Sequence, residues 1–292
     1  MDKYILSECG NKKYYNDRGL LHRKNGLPAI ERLNGTKEYY INGKRHRDGD
    51  LPAVDRRNGP KEYYINGLRH REGDLPAIDA YNWSKEYFIN GLHHRDGDLP
   101  AIDWYDGTKE YYINGLRHRD GGLPAICGYD GTKEYFIKGK RHREGGLPAV
   151  ILVHGNKEYW EKGLRHREGG LPAIEYNGTK EYFINGKRHR GGDLPAIEWA
   201  DNTLEYWENG FLHREGGFPA IEWADNNREY WQRGCRITKK QSNYIYKLKM
   251  KRVLKIFRTW YDITYQIHKP AFNSRMLRDI SVCENILGYK ME

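Results

Sequence analysis

The sequence lacks any apolar run of 18 residues, so no segment is expected to cross a membrane as a helix. Hydrophobic residues are scarce, at 38 %, and the mean hydropathy is −0.96, too polar for one large globular core. Cysteine is nearly absent. Cys9, Cys127, Cys235 and Cys283 lie far apart and match neither a disulfide framework nor a metal spacing, so they read as ordinary thiols. The first ten residues lack the charged and apolar regions of a signal peptide. The expected location is therefore intracellular and cytoplasmic, not secreted. Also missing are a nucleophile with a base, a phosphate-binding glycine loop and a metal-ligand set. The expectation is a protein without catalytic residues, cofactor, metal or small-molecule substrate, and so not an enzyme.

Aromatics and glycine, by contrast, are plentiful. Aromatic residues reach 13 %, with 24 Tyr and 8 Trp, and there are 33 Gly. Disordered chains are poor in aromatics. Polar, aromatic and glycine-rich composition instead points to many short strands joined by tight turns.

The chain repeats itself. A Leu-Pro-Ala or Phe-Pro-Ala triplet places its proline at Pro28, Pro52, Pro76, Pro100, Pro124, Pro148, Pro172, Pro195 and Pro219, 24 residues apart except for one step of 23. A His-Arg pair precedes each proline, from His22-Arg23 to His213-Arg214. Nine copies and a partial tenth, ending near Arg236, assign residues 1–237 to repeats. In the copy that starts at Thr108, Lys109 to Ile113 has strand chemistry, and Asn114-Gly115 suits the two positive-φ positions of a type I′ turn. Leu116 to Arg119 is the return strand. Asp120-Gly121-Gly122 and Pro124 interrupt it at a bulge or edge, and Asp130-Gly131 turns the chain into the next copy. The first aromatic is always tyrosine, as at Tyr63, Tyr87, Tyr111 and Tyr135, whereas its neighbour varies among Tyr, Phe and Trp. Neighbours on a strand face opposite sides. One face is thus expected to need a phenol hydroxyl for a buried hydrogen bond, and the other any flat ring. Stacked copies would bury a continuous aromatic and aliphatic seam, with nearest-neighbour stability. Pro76, Pro100, Pro124 and Pro148, with these tyrosines, are read as structural.

The run Glu38-Tyr39-Tyr40-Ile41-Asn42-Gly43-Lys44, followed by the turn Asn58-Gly59, resembles MORN repeats, in a variant with a Tyr-Tyr-x-Asn-Gly core. The likeness covers roughly residues 11–236. It implies an all-β repeat: an elongated ribbon of stacked hairpins that acts as a scaffold or interaction module. The His-Arg, four-residue, Pro-Ala segment departs from the MORN pattern. This subtype resembles one in proteins of large DNA viruses and some phages. That implies a virion or capsid-associated component, or a host-interaction factor, with protein partners or self-association.

Residues 238–292 form a different segment. They hold twelve Lys and Arg against four acids, which accounts for most of the net charge of +10. Ile245, Leu248, Val253, Ile256, Phe257 and Trp260 recur at mostly three- and four-residue steps, with Lys247, Lys251, Lys255 and Arg258 between them. The pattern predicts an amphipathic basic helix over roughly 242–267, ended near Pro270, and a second short helix over 274–287. The tail also resembles C-terminal segments of giant-virus proteins. Three readings stand for it: a cap on the last hairpins, a binder of anionic membrane or nucleic acid, or a helix for a partner's groove.

The candidate binding residues are the arginines after each histidine, Arg47, Arg71, Arg95, Arg119, Arg143, Arg167 and Arg190, together with the four tail cations. They could line up a cationic stripe for phosphate or acidic lipid. A glutamate also travels with each copy, at Glu38, Glu62, Glu86 and onward, so cross-strand Glu–Arg pairing within the sheet is the expected use of that charge. Zinc is disfavoured because no second ligand type repeats with the histidine, and calcium because several loops carry Gly-Gly in place of the second acid. Asn34, Asn82 and Asn177 match glycosylation acceptors, two of them within hairpin turns.

Overall fold

Each Asn-Gly pair sets a turn of positive φ, and the hairpin around it follows. Asn114 (φ 49°) and Gly115 (φ 78°) adopt the left-handed pair of a type I′ turn, joining strand Tyr112–Ile113 to strand Leu116–Arg117. A side chain at Gly115 would be strained at this φ, and its Cβ would lie 3.2 Å from Cδ2 of Leu92. Gly115→Ala is expected to cost about 1–2 kcal/mol, read as a lowered denaturant midpoint. The second turn is built on Asp130, whose carboxylate accepts from the amide of Thr132 (2.8 Å) while Gly131 takes φ 89°.

The computed structural model describes residues 4–7, 9–80 and 82–265. They divide between two compact units, one of residues 1–168 with 173–176, the other of 169–172 with 177 onward. Each is built from stacked antiparallel hairpins, and the second ends in a single helix.

Within a repeat the long strand expected from the sequence is split at its first tyrosine. Lys109–Glu110 stays in an antiparallel ladder, where Glu110 pairs with Ile102 on one side and Ile126 on the other. The chain then leaves the ladder. Tyr111 donates its amide to the carbonyl of Ala125 (2.7 Å) and accepts from the amide of His118 (3.1 Å). The following residues form the separate two-stranded hairpin. Neighbouring hairpins are tied by a backbone bond from the turn glycine to the preceding copy: Gly115 N–H to His93 O and Gly139 N–H to Arg117 O, both 2.9 Å. Each repeat therefore contributes to two files, a ladder and a stack of small hairpins.

The core lies between these files. The alanine after each proline has no exposed surface in any of the nine copies, because its carbonyl receives the tyrosine amide and its methyl group faces the rings. Ala77 and Ile78 pack on Phe88 of the next repeat, and Tyr111 and Ala125 on Phe136 of the next. The buried aromatic and aliphatic seam thus runs from copy to copy within the first unit. Among the described peptide bonds none is cis, so the Leu-Pro bonds are trans.

In the second unit the partial tenth repeat keeps its strand whole, Arg228–Gln232, paired with Cys235–Ile237. Helix α1 (Lys239–Tyr265) follows. It starts earlier than the apolar spacing predicts because Thr238 and Gln241 form a capping box. Thr238 Oγ1 accepts from Gln241 N–H (3.2 Å), and Gln241 Oε1 accepts from Thr238 N–H (2.8 Å). The short helix predicted over 274–287 lies outside the described residues. No helix among the described residues is long and apolar enough to cross a membrane.

Candidate functional site

The arginines after each histidine are held by their own repeat. Their guanidinium groups sit 3.6–3.8 Å from the rings of the first tyrosines: Arg47 on Tyr39, Arg71 on Tyr63, Arg95 on Tyr87, Arg119 on Tyr111, Arg143 on Tyr135, Arg167 on Tyr159 and Arg190 on Tyr182. Three of them also grip an aspartate of the preceding repeat through two nitrogens, Arg71 on Asp50 (2.8 and 3.0 Å), Arg95 on Asp74 (2.7 and 2.9 Å) and Arg119 on Asp98 (2.7 and 2.9 Å). Hydrogen bonds from these arginines hold the three aspartates below the usual carboxylate range. Glycine occupies the aspartate's position ahead of Arg167, at Gly146, and Arg167 bonds Glu175 instead (2.6 Å). Arg47, Arg143 and Arg190 reach the carbonyls of Pro52, Pro148 and Pro195 at 3.2–3.4 Å. Arg71, Arg95 and Arg119 of the sequence-predicted stripe clamp adjacent repeats, and Arg47, Arg143, Arg167 and Arg190 bond within their own.

Two expectations about pairing change. The repeated glutamate pairs with the arginine before the histidine, seven residues on, not with the one after it: Glu62 with Arg69 (3.3 Å), Glu110 with Arg117 (3.1 Å), Glu134 with Arg141 (2.9 Å) and Glu181 with Arg188 (3.0 Å). The split at the tyrosine is the reason, since it puts glutamate in the ladder and the arginine before the histidine across from the variable ring, as Arg117 lies across from Tyr112. That ring also supplies the polar hydrogen expected of the first tyrosine. Tyr64 and Tyr112 hydroxyls donate to Glu62 (2.7 Å) and Glu110 (2.8 Å), and the indoles of Trp160 and Trp231 donate to Glu158 and Glu229, both 2.9 Å. Burial, followed by the Glu110 carboxylate, pushes the Tyr112 hydroxyl up to about 12. The first tyrosine offers its ring face to arginine, and in one copy, at Tyr182, the hydroxyl also donates to Glu198 (3.2 Å).

The repeated histidine ties hairpins together. Its Nδ1 accepts the amide of the turn residue one repeat on: His46 from Asn66 (3.0 Å), His70 from Asn90 (3.1 Å) and His94 from Asn114 (3.0 Å). The proton then resides on Nε2, which faces the carboxylate two residues on: Asp48 (2.8 Å), Glu72 (3.1 Å) and Asp96 (3.0 Å). Two junctions gather carboxylates around a histidine, Glu161/His166/Glu168 and Glu208/His213/Glu215. Lysine ammonium groups already sit on Glu161 (Lys162, 3.1 Å) and Glu215 (Lys249, 2.6 Å), so neither set carries a metal assignment.

What the repeats turn outward is different from the stripe read in the sequence. The carboxylates at Asp48, Glu72, Asp96 and Asp120 are 81–87 % exposed. The leucine before each proline is exposed too, as at Leu75, Leu99, Leu123 and Leu147. In the first unit a groove of 180–360 Å³ opens at each of four consecutive junctions from His70 to Glu168. One is lined by Asp96, Leu99, Tyr111, Tyr112, Ile113 and His118, and the others by their equivalents. Sequence reasoning weighed these acids only as calcium ligands and passed over the leucines as a surface. Their signal was present, since both recur every 24 residues in a polar loop where nothing in the fold needs an apolar side chain.

The tail candidates Lys247, Lys251, Lys255 and Arg258 all lie exposed on α1. Lys249, a residue not among these candidates, bonds Glu215 of the repeats. No family model, curated protein or solved structure matches this chain.

Proposed function

We propose that this chain is a non-enzymatic scaffold whose repeats bind protein partners along the face of grooves, leucines and carboxylates. The observation that carries the reading is the exposed leucine recurring beside an open groove at four consecutive junctions of the first unit. Apolar side chains kept at the surface in a fixed repeat mark an interaction face. The internal use of the arginines weighs against phosphate binding by the same face. The resemblance to MORN repeats supports a scaffold role, and the viral likeness of this variant supports a virion-associated or host-interaction setting.

The test is capture on immobilised full-length protein, wild type against Leu75→Ser/Leu99→Ser/Leu123→Ser/Leu147→Ser. A defined set of proteins held by wild type in 300 mM salt and lost from the variant supports the reading. An identical set on both, or material released by nuclease or lipid extraction, overturns it.

A second reading rests on α1. Ile256, Phe257 and Trp260 are exposed on a helix that also carries Lys255 and Arg252, the composition of an interfacial helix. If the tail is the binding element, Ile256→Ser/Phe257→Ser/Trp260→Ser reduces co-sedimentation with anionic vesicles at least tenfold, and neutral vesicles bind neither protein.

A further inference from the structure

The last junction of the chain differs from the open ones in a way that identifies a ligand class. At the ninth repeat the groove is filled by α1. The helix packs on strand Arg228–Gln232, the counterpart of the strand that floors each open groove. Lys249 Nζ bonds both oxygens of Glu215, at 2.6 and 2.9 Å. Glu215 occupies the position of Asp96, Asp120 and Glu144 in earlier repeats. Asn243 and Tyr246 lie against Gly217, close enough that a Cβ there would meet the Asn243 side chain at 3.0 Å. The covering shows at the histidine: the His213 side chain is 2 % exposed, against 14–18 % for His46, His70, His94 and His118.

The buried or half-buried residues at the start of the docked segment are Ser242, Ile245, Tyr246, Lys249 and Met250. These are steps of three and four, one face of a helix with a single lysine at its centre. Glu215 responds to this cation. Burial pushes its carboxyl up, and the hydrogen bonds from Lys249 and His213 outweigh that and hold it below the ordinary value.

We infer that the open grooves of the first unit are docking sites for a basic amphipathic helix of a partner protein, seated as α1 is seated at the ninth repeat. The inference deepens the scaffold reading and rests on it. Each open groove offers the two elements that α1 uses, a carboxylate on the loop and a strand with an aromatic ring, and adds an exposed leucine before the proline, where the ninth repeat has the exposed Phe218. The carboxylate is dispensable for folding, since the first repeat carries Lys24 and the eighth Gly191 in its place. Its recurrence on the other repeats is then explained by what it binds. A lysine in the partner helix meets an aspartate or glutamate already hydrogen-bonded by a histidine Nε2, and apolar residues one turn away rest on the leucine.

The test is calorimetric titration of full-length protein with a synthetic peptide of residues 239–260. The expected result is more than one peptide bound per chain, and at least tenfold weaker binding for the peptide with Lys249→Glu. Asp96→Asn/Asp120→Asn/Glu144→Asn in the full chain lowers the stoichiometry while leaving the circular dichroism unchanged. A stoichiometry of one or less, which is exchange with the chain's own helix, overturns the inference. So does binding that is indifferent to both sets of substitutions. If the peptide fails while the leucine variant still loses captured proteins, the scaffold reading stands and only the partner chemistry is wrong.

Discussion

Tyr111→Ala is expected to destabilise its repeat by about 3–5 kcal/mol, the usual cost of removing a large buried ring. The ring packs with Ala125 and Phe136 in one cluster, so its loss opens a cavity that spans two repeats. It also removes the surface under the Arg119 guanidinium, 3.7 Å from the ring centre. Arg119 keeps its two bonds to Asp98, so the damage comes from lost packing and cation–π contact, not from a stranded charge. Stability in a repeat array is local and passes between neighbours. Amide exchange should therefore accelerate in residues 102–141 and remain near wild type before residue 60. Uniform acceleration along the first unit would contradict the nearest-neighbour description. Tyr111→Phe should retain most of the stability, because the ring face carries the contact.

Glu62→Ala should cost about 2–3 kcal/mol, at the low end for a broken buried ion pair because its arginine partners are partly exposed. Glu62 is buried, and it receives the Tyr64 hydroxyl, Arg56 (2.6 Å) and Arg69 (3.3 Å). Deleting it leaves three donors without their acceptor. The same carboxylates make the fold acid-labile. At Glu38 and Glu62, burial pushes the carboxyl up, but the tyrosine and arginine hydrogen bonds prevail and hold it below its ordinary value. At Glu86 the hydrogen bond from His93 leads in the same direction. A folded value below the unfolded one, near 4.3, means the stabilisation is complete above that pH. It is lost as pH falls through the lower folded value. Denaturant midpoints should be flat from pH 7 to 5 and decline steeply below about 4.3. In the Glu62→Ala protein the decline should be shallower.

The repeat, its turns and its stacked hairpins were legible because each rests on local chemistry. Asn114-Gly115 can hardly do other than turn, and the spacing of proline and alanine sets the register of the ladder. The basic helix was legible from its apolar spacing, though Thr238 and Gln241 would have placed its start more closely. The charge pairing was not. Arg71 and Asp50 are 21 residues apart, and nothing local brings them together; only the stacking offset between two copies does so. The roles of the two aromatics were legible only in part for a related reason. A strand assumed continuous places Tyr111 and Tyr112 on opposite faces of one sheet. The break at Tyr111 instead sends one ring to an arginine and the other to a glutamate. With the arginines held on tyrosine rings inside the repeats, the carboxylates and leucines are what the loops present outward.

The most direct measurement is zero-length carbodiimide cross-linking of the full-length protein in cell extract, with the carboxyl ends of the cross-links mapped by mass spectrometry. The bond between Lys249 and Glu215 supplies an internal positive control. The account predicts partner lysines joined to Asp48, Glu72, Asp96, Asp120 and Glu144, the exposed carboxylates of the groove face. Partner cross-links confined to the tail or to the ladder turns, with these five carboxylates unmodified by any partner, would contradict it.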